Sequence, residues 1–394
     1  MDRVAPDLHP EHETPGFLAD LCRRPAVARV LVSGGAGFIG AALVQALGSD
    51  GIECTVVDDL SASSGARLER LRATDRAPHW FGLDVNRPGA WHQVLTEGGP
   101  FDAIVHLAGR VGVRRVLADP EACRGANLAG VRELVAALAK MPPGSRPRVF
   151  AASTSEVYAD VAGPLREDGN LRSEEGCGRW AYAASKRTAE NLLDGASHLW
   201  SAGQGPVHLR FFNVVGPGQD ARTGMVMPTF VEHALRAEAL PVHGRGEQVR
   251  AFGHVDDVAR TLAELVQSPG FPPGALNLGG RTRTTMLELA RTVLARLAEV
   301  PGRPLERSGA ALTFVDPCRH IAGNFEEVRT REPDLGRATW LGLPIPSRSL
   351  IELVDDCLAR HSALSIDPAS AVRSTALAAT PAPHGGIACA SLGS

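Results

Sequence analysis

With 394 residues, 44% of them apolar and 22% charged, the chain is long enough for one large two-part domain and has the balance of a globular protein. A formal net charge of -3 offers no basic footprint for a nucleic-acid partner, and no apolar run approaches the roughly 20 residues that cross a bilayer. Seven cysteines, odd in number and without C-x-x-C spacing, argue against a disulfide framework and a zinc site, so no metal is expected.

In chain order, residues 1–26 are polar and Pro-containing and predict an irregular extension. Their acidic residues and lack of an apolar segment are unlike a secretory signal, which makes a cytoplasmic location the expectation. Arg29–Ser33 reads as a short buried strand. A Gly-rich turn, an apolar helix over 41–47 and a second strand over 54–58 follow. Strand-like runs recur at 101–107, 148–153 and 207–212, separated by helical stretches at 130–140 and 182–193. This alternation predicts an α/β fold, a Rossmann-like doubly wound parallel sheet, over 27–215. From 216 to 364, shorter elements interrupted by Pro, Gly and Arg predict a mainly substrate-binding, smaller C-terminal α/β lobe. Residues 253–268 are expected to return to the first domain. Such a lobe would sit over the carboxyl ends of the strands, where open sheets bind ligands. Residues 365–394, rich in Ala, Ser, Pro and Gly, predict a disordered tail.

The turn after the first strand is Gly34-Gly-Ala-Gly37-Phe38-Ile39-Gly40. Glycines three apart let the backbone approach a pyrophosphate, which then rests on the free N–H groups of a helix N-terminus. No Gly-Lys-Ser/Thr follows, so it is not a P-loop. Asp58, at the end of the second strand, is placed to accept ribose hydroxyls and to repel a 2′-phosphate, favouring NAD over NADP. Asp84 and Val85 are placed for the adenine edge, although a surface Asp before a turn explains Asp84 equally well.

The chain has two tyrosines, at 158 and 182, and two lysines, at 140 and 186. Against so Arg-rich a background, such residues point to chemical roles. Tyr182 and Lys186 lie four apart in a helix-forming run and so share one face. A neighbouring ammonium and an oxidised nicotinamide would both draw the phenol down from about 10 toward a usable general base.

These runs, in this order, resemble the extended short-chain dehydrogenases/reductases of the NDP-sugar epimerase/dehydratase family, over roughly residues 28–360. The resemblance rests on Gly34–Gly40, His106-Leu107-Ala108-Gly109, Asn127, Ser153-Thr-Ser-Glu-Val-Tyr158, Tyr182-x-x-x-Lys186, Arg210–Pro217 and Gln248–Asp257. Gly109 and Ala159 depart from it, standing where Ala and Gly are usual. The resemblance implies a nucleotide-sugar substrate oxidised at C4 by NAD, with Tyr182 taking the hydroxyl proton and Lys186 holding the nicotinamide ribose. Leu107 and Ala108 would line the cofactor, Thr154 would hydrogen-bond the C4 oxygen beside Ser155, and Asn213 and Arg250 would hold the diphosphate. It also implies a homodimer paired through the Gly130–Lys140 and Tyr182 helices.

Glu156 separates the reactions open to the family. Simple 4-epimerases usually carry a small or hydroxylic residue there, and 4,6-dehydratases usually carry Asp-Glu. Ser155-Glu156, with Arg179-Trp180 ahead of the tyrosine, most resembles UDP-glucuronate decarboxylases, in which a 4-keto acid loses CO₂. Arg250 matches an arginine that some of these place near the reacting carbon. NDP-hexose 4-epimerisation, NDP-hexose dehydration and a non-catalytic NAD-binding sensor of the same fold are the alternatives.

Overall fold

A computed structural model of the protein describes residues 27–364 apart from 64, 177, 202, 269, 301–310 and 317–327, so the expectations for 1–26 and 365–394 lie outside the described residues. The strands are β1 (Arg29–Ser33), β2 (Glu53–Val57), β3 (His79–Phe81), β4 (Ala103–His106), β5 (Arg148–Thr154), β6 (Val207–Phe211) and β7 (Val214–Val215). They continue with β8 (Leu240–His243), β9 (Val249–His254), β10 (Gly274–Leu278), β11 (Thr282–Thr285), β12 (Leu312–Val315) and β13 (Thr330–Arg331). The helices are α1 (Phe38–Ser49), α2 (Ala66–Arg72), α3 (Ala90–Glu97), α4 (Val113–Ala118), α5 (Pro120–Ala139) and α6 (Ala181–Gly195). After them come α7 (Val226–Leu235), α8 (Val255–Gln267), α9 (Met286–Ala298), α10 (Gly336–Trp340) and α11 (Leu350–Leu364).

The main sheet runs β10-β6-β5-β4-β1-β2-β3, with every neighbouring pair parallel. It is the Rossmann-like arrangement expected. A strand covered on both faces reads as an unbroken apolar run, as β1 does. Its Val30 and Val32 join an apolar cluster with Leu43 and Leu47 of α1 and Leu262 and Leu265 of α8. Leu31, facing the other way, joins Trp91 of α3, Leu134 and Leu138 of α5, and Leu193 of α6. Strand order reverses between β1 and β4, so their carboxyl ends open a crevice at the switch point.

A second core, including Met227, Phe230, Leu240, Phe252, Leu289 and Leu353, joins α7, α9 and α11 to β8 and β9. The strands here form a sheet ordered β11-β9-β13, with β7 on β9, and the pair β12-β8. The chain leaves this lobe for the main sheet in three places: α8 packs against α1, β10 pairs with β6, and Ala338 of α10 joins the apolar cluster of β1 and α1. The sequence reading does not place β10, whose Gly-Ala-Leu-Asn-Leu is short and follows Pro272-Pro273. Among the described residues, no helix is long and apolar enough to cross a membrane, and no group of His, Cys, Asp and Glu could hold a metal ion.

Candidate active site

The cofactor side is built by exclusion of side chains. Gly34 has φ +73, and a Cβ there would come within 2.7 Å of the Ala108 backbone nitrogen. At Gly37 a Cβ would lie 2.9 Å from the Gly34 carbonyl oxygen, and at Gly40 it would drive into that same oxygen. The loop therefore stays flat against the β4 end, where Leu107 N–H donates to Ser33 O at 2.9 Å. Gly37 caps α1 without any side-chain hydrogen bond, in contrast to α5, whose Asp119 accepts from Ala122 N–H. The first turn of α1 thus keeps its N–H groups for an anion. Phe38 and Ile39 pack against Val214, Val255 and Val258, which fixes that helix start.

Asp58 lies beside the loop: Oδ2 accepts from Ala36 N–H at 3.0 Å and Oδ1 from Leu60 N–H at 2.8 Å. Burial raises its carboxyl above the usual range, against the pull of these two donors. A carboxylate offers about four acceptor positions, so two ribose hydroxyls can still be received. The glycine cradle, the uncapped helix and this carboxylate together fit a dinucleotide. Val85 is buried in the α3–α5 face, and Asp84 Oδ1 accepts from both the backbone and side-chain nitrogens of Asn86, as a turn-forming Asp does.

The chemical side lies at the end of β5. Thr154 is its last residue, and a single 3₁₀ turn, Ser155–Val157, follows, with Thr154 Oγ1 accepting from Glu156 N–H at 3.3 Å. Thr154 and Ser155 are buried. Tyr182, in the first turn of α6, shares a hydrogen bond with Thr154 and feels the negative charge of Glu156. One helical turn on, Lys186 is 4% exposed, and burial pulls its ammonium down to about 8. Asn127 ties the surroundings together: its Nδ2 donates to Ser185 Oγ at 3.1 Å, and its Oδ1 accepts from Arg110 N–H at 2.8 Å.

Burial and a neighbouring carboxylate act against the lowering expected of an ammonium and an oxidised nicotinamide. The Tyr182 phenol is pushed up, not down, first by burial and then by the Glu156 carboxylate, with the Thr154 hydrogen bond opposing them. In the protein alone the resting state is a neutral phenol beside a lysine. The scarcity argument also fails for the other members of its two pairs. Tyr158 is buried, and its hydroxyl donates to Asn277 Oδ1 at 2.6 Å, pinning β10. Lys140 is an exposed residue at the end of α5.

Glu156 does not stand alone. Its Oε1 accepts from Arg331 Nη1 at 3.0 Å, with side-chain exposures of 21% and 10%. The sequence reading does not single out Arg331. Its only signal is register, since β13 places it opposite Arg250 on β9. The Arg250 guanidinium donates to the carbonyls of Val249 (2.8 Å), Val328 (2.9 Å) and Arg329 (3.4 Å). Asn213 Nδ2 donates to Ala251 O at 3.0 Å, joining the end of β6 to β9. The structure thus gathers Thr154, Ser155, Glu156, Tyr182 and Lys186 at one strand end and brings in Arg331 from the second lobe. A small cavity beside Glu156 is lined by Tyr158, Asp160, Arg172, Thr330 and Arg331 among others.

Residues 30–279 match the model of the NAD dependent epimerase/dehydratase family. The chain is 30% identical to the UDP-N-acetyl-alpha-D-glucosaminuronate decarboxylase of Bacillus cytotoxicus, over 78% of its own length and 89% of that protein. It is 29% identical to the UDP-glucuronate 4-epimerase of Thermodesulfobacterium geofontis, over 68% and 80% respectively. In fold it is similar to the UDP-glucuronic acid 4-epimerase of Bacillus cereus, solved with UDP-glucuronic acid and NAD, with a TM-score of 0.71 at 22% identity over 85% of this chain and 99% of that one.

Proposed function

The chain belongs to the NAD-dependent epimerase/dehydratase family, and from that premise we propose that it decarboxylates UDP-glucuronate to a UDP-pentose. The observation that carries this reading is the Glu156–Arg331 pair at the end of β5, beside Tyr182. An acid with its own guanidinium suits a sugar whose C5 substituent is anionic and whose electrons must shift toward C4. Merely turning over a C4 ketone requires neither group.

In this mechanism Gly34, Gly37, Gly40 and Asp58 hold the cofactor, with Phe38, Ile39, Leu107 and Ala108 lining it, and Asp84 and Val85 near the adenine. Bound NAD⁺ supplies the hydride acceptor, the later hydride donor, and a positive charge opposing the burial that keeps Tyr182 protonated. Tyr182 oxygen takes the C4 hydroxyl proton while Thr154 orients that oxygen. The resulting β-keto acid breaks its C5–C6 bond, CO₂ departs, and the electron pair moves into the C4 oxygen as an enolate. Tyr182 and Thr154 would hydrogen-bond that oxygen. C5 would then take a proton from solvent, the one net proton that decarboxylation consumes, and Tyr182 would return its proton to the C4 oxygen as the hydride held by the cofactor is given back to C4. Lys186 holds the nicotinamide ribose, and Asn213 and Arg250 keep the diphosphate side of the lobe in register. The same reading takes 27–215 as the cofactor domain and 216–364 as mainly the substrate lobe. It carries a cytoplasmic homodimer paired through α5 and α6.

Product analysis by NMR tests it. With UDP-glucuronate, UDP-glucose, UDP-N-acetylglucosamine and dTDP-glucose offered separately, a pentose nucleotide and CO₂ should form from the first alone. A galacto-configured product without CO₂ would replace decarboxylation by 4-epimerisation, the second reading, which the 29% identical epimerase favours. Tyr182→Phe should cost about 10²–10⁴-fold in kcat, and undiminished turnover in that variant would end both readings.

A further inference from the structure

The crevice at the switch point has two walls, one formed by the chain that follows β2 and one by the chain that follows β4. Helix α2 belongs to the first wall and α4 to the second. Residues 216–224 join β7 to α7 in the other lobe, yet they are fastened to both walls. On the β2 side, Arg67 Nη2 of α2 donates to Gly218 O. The same guanidinium lies 5.7 Å from the centre of the Phe38 ring, at the start of α1. On the β4 side, a Cβ at Gly112, just before α4, would come within 3.1 Å of Thr223 O. One at Gly224 would come within 3.2 Å of Arg114 Cγ.

The segment is also pressed down at its start and braced within itself. A Cβ at Gly216 would meet Val255 Cγ1 at 2.7 Å, and Val255 packs with Phe38 and Ile39 of α1. Gln219 Nε2 donates to Val214 O at 3.1 Å, Asp220 Oδ1 accepts from Arg222 N–H at 2.9 Å, and Gly224 N–H donates to Ala221 O at 3.0 Å. A loop held by its own bonds moves as one piece, so it clears the crevice only when its ties to the walls break. The chemistry gives such a fastening a use. Hydride leaves the sugar and must return to it, and cofactor lost between the two steps would strand the sugar as a ketone.

We propose that residues 216–224 form a strap that keeps NAD in the crevice through the catalytic cycle, with Arg67 as the positioning residue that latches it. This rests on NAD as the cofactor and is independent of which sugar is processed. Arg67 acts through Gly218 and Phe38 and takes no part in hydride or proton transfer.

The test is the rate at which the holoenzyme exchanges its NAD⁺ against an excess of isotopically labelled NAD⁺. Arg67→Met should speed exchange about tenfold, the worth of one charge-assisted hydrogen bond, and Arg67→Lys should recover part of the retention. At saturating NAD⁺, kcat and the Kd for UDP should stay within about twofold. Gly112→Ala wedges the opposite tie against Thr223 and should speed exchange by a similar factor without removing a cation. Faster exchange in Arg67→Met alone would make Arg67 a direct cofactor contact and overturn the strap. Unchanged exchange in both variants, with melting temperatures showing both folded, would reject it. A fall in kcat or UDP affinity at saturating NAD⁺, without faster exchange, would assign the ties to the substrate lobe instead. Each of these outcomes leaves the product analysis above to decide the reaction by itself.

Discussion

Two carboxylate–guanidinium pairs flank the same strand–helix unit, and they are built for opposite ends. Behind β5, Glu190 of α6 meets Arg210 of β6 through two hydrogen bonds, of 2.9 and 2.8 Å. It also accepts from Ser153 at 2.6 Å and from Arg187 at 3.3 Å. Burial pushes the Glu190 carboxyl up, but Arg210 outweighs it and holds the group below its usual range. Both side chains are almost wholly buried. At the other end, Glu156 has one bond to Arg331, and both face a cavity. A saturated pair clamps α6, and with it Tyr182 and Lys186, to the sheet. An unsaturated pair keeps lone pairs and N–H groups for something else. The number of filled acceptor positions separates a clamp from a site better than the residue types do.

The sharpest way to break this contrast is to remove the clamp. Glu190→Ala leaves Arg210 buried without its carboxylate and should cost about 3–5 kcal/mol of stability, read from denaturant midpoints. A loss near zero would show that the pair is not a clamp. Glu156→Gln should do the reverse, shifting stability by no more than about 1 kcal/mol while lowering CO₂ release about 100-fold. If instead it unfolds the protein with activity per folded molecule intact, the two pairs are of one kind.

Lys186 sharpens the contrast through pH. Burial takes it from 10.5 to about 8. Between those values the unfolded chain binds the extra proton, so the stability contributed at this position rises as pH climbs from about 8 toward 10.5. Relative to the parent, Lys186→Met should therefore gain stability most below pH 8, and the gap should narrow by pH 10 as turnover is lost throughout. A gap independent of pH would deny that burial of the charge is its cause. The smallest effect is expected at Arg250, where Arg250→Met should raise KM for the nucleotide sugar by only about twofold to fivefold, consistent with about 0.5–1 kcal/mol for backbone hydrogen bonds given up.

Much of this was legible in the residues, for a physical reason. The doubly wound sheet shows because β1, β2, β4, β5 and β6 are apolar runs separated by helix-length segments. The glycine loop, Ser155-Glu156 and Tyr182-x-x-x-Lys186 show because their geometry is local, within one turn of chain. What was hidden is what depends on distant chain. β3 has three residues and β10 five, with Asn277 interrupting the latter. Arg331 sits on a two-residue strand in an Arg-rich sequence and meets Glu156 only through the packing of the two lobes. The groups that oppose a lowered Tyr182 were hidden for the same reason. Spacing revealed a nearby ammonium, whereas the depth of burial and the Glu156 charge belong to the folded surroundings.

The return of β10 to the main sheet affects how the chain can be made. Until residue 278 has been synthesised, β6 has no partner on its outer side, and Tyr158 and Glu167 lack the Asn277 groups that they bind. A nascent or truncated chain ending before residue 274 would therefore present a hydrogen-bonding edge ready to pair with another molecule. Closing that edge requires contacts far apart in sequence, which slows assembly. Fragments that end inside the second lobe should be prone to aggregate even though every glycine of the cofactor loop is present.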